Sequence, residues 1–124
     1  GQNPIAYVLI RRGVGYSDAD LDGSYFLTQM SQTVATQRYV TATGHFEASG
    51  AGTADSTGVW THEGDIAPGP EMEWLTAVAP TGAVFAENAW GDFFLGGISS
   101  DRRFLVLAGP TNALSNPTVY VAFR

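Results

Sequence analysis

The stretch Arg38–Ala48, RYVTATGHFEA, decides the fold class. Apolar residues from Val40 to Ala48 alternate with threonine, histidine and glutamate, so every second side chain has the same character. A period of two is typical of a β-strand with one buried and one solvent-exposed face. Such alternation is typical of antiparallel sheets, whose outer face contacts water.

Shorter segments of the same kind flank this strand on both sides. The candidates are Pro4–Arg12, Gly23–Met30, Thr57–Glu63, Met72–Ala79, Ala83–Ala89, Asp92–Gly96, Arg103–Ala108 and Thr118–Arg124. Turn signals between strands are Ser49–Gly52, Ala67–Pro70, Pro80–Gly82, Gly96–Gly97 and Gly109–Pro110. No segment has a sustained helical period, and a parallel sheet would require crossover helices. The sequence therefore predicts a single all-β domain over residues 1–124, an antiparallel barrel or sandwich of about nine short strands.

The composition narrows the classes of function. The 124 residues include six arginines and no lysine against twelve acidic residues, for a formal charge of −6. This charge disfavours nucleic acid as a partner, and no apolar run reaches the roughly 18 residues of a membrane helix. Cysteine is absent, which excludes thiol chemistry and disulfides. An acidic, lysine-free, glycine-rich chain is typical of secreted bacterial β proteins.

The two ends of the chain match each other. NPIAYVLIR, Asn3–Arg11, aligns without gaps to NPTVYVAFR, Asn116–Arg124, with five of nine positions identical. Either both segments are equivalent strands of one closed sheet, or the N-terminal strand of one copy occupies the corresponding place in another copy. Residues 1–12 are thus a closing or an exchanged strand. The predicted assembly residues are Asn3, Pro4, Ile5, Tyr7, Val8, Leu9, Ile10, Asn116, Pro117, Tyr120, Val121 and Phe123.

Four segments together resemble the repeat units of secreted bacterial β-rich surface proteins. They are YVLIRR, DLDGSYFLTQM, GISSDRRFLVLAGP and NPTVYVAFR. Ser100 and Asp101 fit the turn motif of those units, although Arg102 stands where they have glycine. The resemblance implies an extracellular or cell-surface location and a structural role without catalytic residues. The first functional expectation is therefore a structural module, not an enzyme. It would be a tandem-repeat unit or a filament subunit that binds copies of itself.

Asp18, Asp20 and Asp22 precede Gly23 in the pattern that opens a calcium-binding loop. The twelfth position of that pattern is Gln29 instead of glutamate, so a solvated turn without metal is the alternative. No cofactor is predicted, with calcium left open. The two histidines, His45 and His62, lack a third ligand for zinc.

Trp60, Trp74 and Trp90 fall on three successive predicted strands. Aromatic rings at the mouth of a barrel form a common ligand platform, whereas the alternative is that all three are core residues. The segments RYVTATGHFEAS, TGVW and ENAW are similar to avidin-type biotin-binding barrels. This similarity implies a second possible function, a lipocalin- or avidin-like barrel that binds a small ligand.

Overall fold

The computed structural model describes residues 9, 13–33, 35, 38–62, 65–69, 71–110 and 116–124. It confirms the predicted all-β class, and no α-helix occurs within these ranges. The strands are β1 (Gly23–Thr33), β2 (Arg38–Ala48), β3 (Thr53–His62), β4 (Asp65–Pro68), β5 (Met72–Val78), β6 (Ala83–Asn88), β7 (Phe93–Ile98), β8 (Phe104–Gly109) and β9 (Thr118–Phe123). In the part of the chain described, no helix has the length and apolarity needed to cross a membrane.

Eight of the strands close into an antiparallel barrel. Its order is β1-β2-β3-β5-β6-β7-β8-β9, and β9 pairs again with β1. β3 pairs with β5 through its first residues and with β4 through its last, so β4 is an extra strand outside the ring. Closure satisfies the backbone groups that an open sheet would leave at its edges. The fold is thus a barrel and not a sandwich.

One end of the barrel is closed by a single 3-10 turn, Asp18–Leu21, which we call the plug. Leu21 is buried in the core beneath Tyr25, and the phenol of Tyr25 donates a hydrogen bond to the carbonyl oxygen of Leu21. The core fills the barrel from this end. Its members are Tyr16, Leu21, Tyr25, Phe46, Ala48, Ala54, Met72, Trp74, Val84, Ala86, Phe94, Ile98, Leu105, Leu107 and Ala122.

Two arginines fasten the plug. Arg102 donates from Nε to a carboxylate oxygen of Asp20 at 3.0 Å, and its guanidinium lies 4.3 Å from the centre of the Tyr16 ring. Arg124, which follows β9, donates to the backbone carbonyl oxygens of Asp20 and Asp22. Because charged donors satisfy carbonyls at the end of the 3-10 turn, this end of the barrel stays closed.

Three local predictions are wrong or lie outside the described residues. The predicted turn Ala67–Pro70 overlaps β4, and the predicted turn Gly96–Gly97 lies inside β7. Gly96 is needed there because an added Cβ would lie only 1.6 Å from the carbonyl oxygen of Val106 on β8. The predicted strand Pro4–Arg12 lies outside the described residues except for Leu9, which is exposed and in no strand.

Candidate ligand-binding site

A cavity of about 320 Å³ lies at the open end of the barrel, where β1 ends and β9 begins. This volume is near the lower limit for small-molecule sites. Trp60, Trp74 and Trp90 all line it, so the structure brings together the three residues predicted as a platform. Other lining residues come from all around the barrel and include Leu27, Gln29, Ser31, Val40, Ala42, Ser56, Met72, Asn88, Asp92, Phe94, Asn116, Thr118 and Tyr120.

The three tryptophans form one wall of the cavity. Trp60 is on β3, Trp74 on the adjacent β5, and Trp90 in the turn after β6. Trp74 is only 3% exposed and donates its indole N–H to Ser56 Oγ at 2.8 Å, so it belongs to the core as well. Trp90 is 64% exposed at the rim and is not on a strand as predicted. The platform therefore has one fixed ring below and one accessible ring above.

Asn88 holds the turn that carries Trp90. Its side-chain oxygen, which is buried with the rest of the residue, accepts hydrogen bonds from the backbone N–H groups of Trp90 at 3.1 Å and Asp92 at 3.0 Å. An asparagine that bonds to backbone groups further along the chain stabilises a tight turn. Asn88, itself a lining residue, thus positions the accessible ring.

Three aromatic rings form the floor. The ring centres of Trp74 and Tyr120 are 5.4 Å apart at 87°, and those of Phe94 and Tyr120 are 5.3 Å apart at 82°. Edge-to-face pairs at such distances are favourable and restrict ring motion. Burial, together with the negative charge of Asp92, raises the pKa of Tyr120 to about 12, so its hydroxyl stays protonated. The floor is therefore aromatic and uncharged.

The wall opposite the tryptophans is polar. Gln29 Nε2 donates to Ser31 Oγ at 2.9 Å, Ser31 Oγ lies 2.8 Å from Thr118 Oγ1, and Thr118 Oγ1 donates to the carbonyl oxygen of Asn116 at 3.0 Å. Because the Thr118 hydroxyl has one proton and gives it to Asn116, the proton between Ser31 and Thr118 comes from Ser31. The chain therefore points in one direction and leaves oxygen lone pairs for a ligand.

The charge of the cavity is low and negative. Among the described lining residues, Asp92 is the only carboxylate, and none is an arginine, lysine or histidine. A buried anion requires a compensating cation or several donors, and the described polar wall already uses its hydroxyl protons internally. The lining therefore favours uncharged ligands over anionic ones.

The predicted calcium residues lie at the other end of the barrel, in and beside the plug. Asp18 accepts the backbone N–H of Val78 at 2.8 Å, and Asp20 accepts that of Ser17 at 2.8 Å. The Ser17 N–H and the Arg102 side chain lower the pKa of Asp20. Across the described ranges no group of three or more histidine, cysteine or acidic side chains is placed to hold a metal. Two of the three aspartates thus have protein donors as partners.

The predicted assembly residues at the C-terminal end lie in or just before β9. Asn116 and Pro117 precede the strand, whereas Tyr120, Val121 and Phe123 belong to it. β9 pairs with β1 on one side and β8 on the other, both in the same chain. Of the N-terminal set, Asn3, Pro4, Ile5, Tyr7, Val8 and Ile10 lie outside the described residues. Within the described chain, β9 therefore has no free edge.

The polar wall was not predicted from the sequence, and Tyr120 was predicted only as a residue of the matching end strands. Gln29 and Ser31 continue the inward positions of Tyr25 and Leu27 at a spacing of two, and Thr118 is two residues before Tyr120. A polar residue at an inward strand position is the signal that could have revealed this wall. Comparison of the chain with models of known protein families, with curated proteins and with solved structures finds no match.

Proposed function

We propose that this protein binds a small uncharged molecule in the cavity at the open end of the barrel. The observation that carries the proposal is the pairing of a tryptophan wall with a directed hydrogen-bond chain on the opposite side. Aromatic side chains with a few fixed polar groups are the usual lining of small-molecule sites. The tryptophans would contact a flat or apolar face of the ligand, while the polar wall would bind its edge.

The polar wall also indicates which groups that edge carries. Ser31 and Thr118 use their protons within the chain, so the free positions on these oxygens are acceptors. O–H or N–H donors along the ligand edge can bind these acceptors. An edge with only acceptors would place ligand oxygens against the buried hydroxyl oxygens with no proton between them, which is unfavourable. We therefore propose a ligand with hydroxyl or N–H groups along one edge and a ring face on the other.

The role we propose is binding and not catalysis. General acid–base chemistry needs a positioned proton donor and acceptor, and hydrolysis of a glycosidic bond typically uses two carboxyl groups. Asp92 is the single carboxylate among the described lining residues. Its neighbour Tyr120 has a raised pKa, which makes that hydroxyl a poor source of protons near neutral pH.

The test compares two probes that differ in one group. Phenyl β-glucoside carries a ring face and several hydroxyls, and phenyl β-glucuronide replaces its CH₂OH by a carboxylate. With ¹⁵N-labelled protein, each tryptophan gives one indole resonance, which a Trp→Phe variant assigns. We expect the glucoside to shift the Trp60 and Trp90 resonances at millimolar concentration and the glucuronide to have at least a tenfold weaker effect.

Matched variants separate the cavity from the outer surface. Thr118→Val removes one of the two acceptor oxygens of the polar wall, and Trp90→Ala removes the accessible ring; each should weaken glucoside binding at least tenfold. Leu75→Ala, on the outer face of β5 next to Trp74, should leave binding unchanged. If neither probe nor any other uncharged ring compound in a fragment panel shifts these resonances, the proposal fails.

The matching ends favour a second candidate function. We propose that the barrel is also a structural module of an extracellular or cell-surface protein, either one unit of a tandem array or a subunit that assembles through strand exchange. Tyr120 on β9 is part of the cavity floor, and Arg124, just after β9, binds the plug; a tyrosine and an arginine stand at the matching positions of Asn3–Arg11. Native mass spectrometry at increasing protein concentration distinguishes monomers from self-assembled polymers.

A further inference from the structure

The outer surface of the barrel has two different sides. On β7, β8 and β9, every side chain that points away from the core is apolar, and these strands are thus apolar inside and outside. Such strands are typical of sheets that are covered on both faces. We call this outer side the apolar face. Its largest residues are Phe93, Leu95, Phe104, Val106, Val121 and Phe123.

Aromatic rings cross the apolar face in contact with one another. Phe104 is directly opposite Phe123, with ring centres 6.1 Å apart and ring planes at 24°. Phe123 is in turn opposite Phe26 of β1, at 5.8 Å. At the other margin, the rings of Phe85 and Phe93 lie 6.3 Å apart. These rings are between 38% and 60% exposed. Because each ring already packs on a neighbour, little side-chain freedom remains to be lost on binding a partner.

The size of the apolar face is that of a small but specific interface. At roughly 200 Å² for a fully exposed ring, the five phenylalanines alone expose about 400 Å². Leu95 and the outward valines raise the total to about 600 Å², the upper end for a patch on a monomer. Two copies that cover these faces bury about 1,200 Å² together, which is the lower limit of a stable interface.

The opposite side of the outer surface is acidic. Glu47 on β2 is directly opposite Asp55 on β3, and Asp55 is directly opposite Glu73 on β5. Like charges in such positions repel each other and require water around them. Each copy has a net charge of −6, so two copies repel least when their apolar faces meet and their acidic sides point apart.

We propose that two copies of this chain associate through their apolar faces in a closed two-fold dimer. β7, β8 and β9 are each paired on both sides, so a partner has to bring apolar side chains instead of a strand. A second copy brings an uncharged face of the same area, and a two-fold contact closes at two copies. The apolar face lies on the side of the barrel, whereas the cavity opens at its end. The dimer is therefore independent of ligand binding and of strand exchange.

The first test uses the unmodified protein. Analytical ultracentrifugation from about 1 to about 300 µM should show a monomer–dimer equilibrium with a Kd of about 10 to 100 µM, as suits an interface of this size. Raising NaCl from about 0.05 to about 0.5 M should lower that Kd at least about threefold, because salt screens the repulsion between the acidic copies. In ¹⁵N spectra, shifts that depend on protein concentration should be confined to β7, β8, β9 and the neighbouring Phe26 and Phe85.

The second test places the same charge on the two sides of the barrel. Leu95→Lys puts an ammonium group into the apolar face, whereas Leu75→Lys puts it on the outer face of β5, opposite Glu87. Because both variants change the net charge equally, a difference between them reports the contact itself. We expect Leu95→Lys to raise the Kd at least tenfold and Leu75→Lys to change it less than threefold. Circular dichroism checks that each variant is folded, and if Leu95→Lys is not, the shifts of the unmodified protein decide.

Several results would overturn the proposal. They are monomers only at about 300 µM, polymers that grow beyond two copies, concentration-dependent shifts on the acidic side, or an equal effect of the two lysine variants. A monomer that binds phosphatidylcholine vesicles through the apolar face would assign this face to a lipid surface and would also overturn the dimer.

Discussion

Arg102 offers a direct test of how tertiary contacts hold a strained turn. It is the only non-glycine residue with positive φ in the described chain, at 59°. The left-handed region costs an L-residue about 1 to 2 kcal/mol relative to ordinary conformations. Some interaction of the arginine side chain must offset that cost.

Three contacts of the guanidinium are available to do so. The partly exposed ion pair with Asp20 contributes about 0.2 to 1 kcal/mol, and the position above Tyr16 about 0.5 to 1 kcal/mol. The hydrogen bond from Nη1 to the Ser100 carbonyl oxygen, at 2.6 Å, contributes roughly 0.5 to 1.5 kcal/mol. Together these contacts are of the same size as the backbone cost or somewhat larger.

Two substitutions separate the contacts from the strain. Arg102→Ala loses the contacts and keeps the unfavourable φ, so we expect a loss of about 2 kcal/mol in the free energy of unfolding. Arg102→Gly loses the same contacts but removes the strain, so it should be about 1 kcal/mol more stable than the alanine variant.

Urea denaturation at pH 7, followed by tryptophan fluorescence, measures these differences. The neighbouring exposed Arg103→Ala is the control and should change stability by less than about 0.5 kcal/mol. An alanine variant as stable as the glycine variant would refute the role of strain. Stability equal to the parent in both variants would refute the role of the contacts.

Two further predictions concern alkaline stability and close backbone packing. The pKa of Tyr120 is about 12 in the folded protein against an ordinary 10.0, so between these values the unfolded chain loses a proton that the folded one keeps. The contribution of Tyr120 to the free energy of unfolding should therefore be full below pH 10 and should decrease between pH 10 and pH 12. Urea midpoints measured across this range should decrease less with pH in Tyr120→Phe than in the parent protein. An equal decrease in both proteins would contradict this prediction. Gly96→Ala should lower the free energy of unfolding by about 1 to 3 kcal/mol, because the added Cβ would contact the Val106 carbonyl oxygen. A melting temperature close to that of the parent protein would show that β7 and β8 can separate there.

Much of the fold could be predicted because strand patterns are local. The alternation in Arg38–Ala48 has the same bounds as β2, and the predicted strands Met72–Ala79 and Ala83–Ala89 differ from β5 and β6 by one residue each at the C-terminal end. Side chains two residues apart in a strand point to the same side of the sheet, so the sequence of a single strand is enough to predict which side chains point inward. β4 was missed because Pro68 and Gly69 mark a turn locally, although β3 provides a partner strand for Asp65–Pro68.

The candidate site depended on the barrel as a whole. The three tryptophans were visible in the sequence as a possible platform, but the polar wall that faces them was not. Its central hydrogen bond joins Ser31 to Thr118, 87 residues apart, and forms only when β9 pairs with β1. Similarly, Arg102 tolerates its backbone conformation because Asp20 is brought beside it across 82 residues. The sequence alone determined most of the described strands and their inward and outward faces, because these depend on neighbouring residues. Closure of the barrel decided β4 and the cavity, because their partners come from segments that meet only in three dimensions.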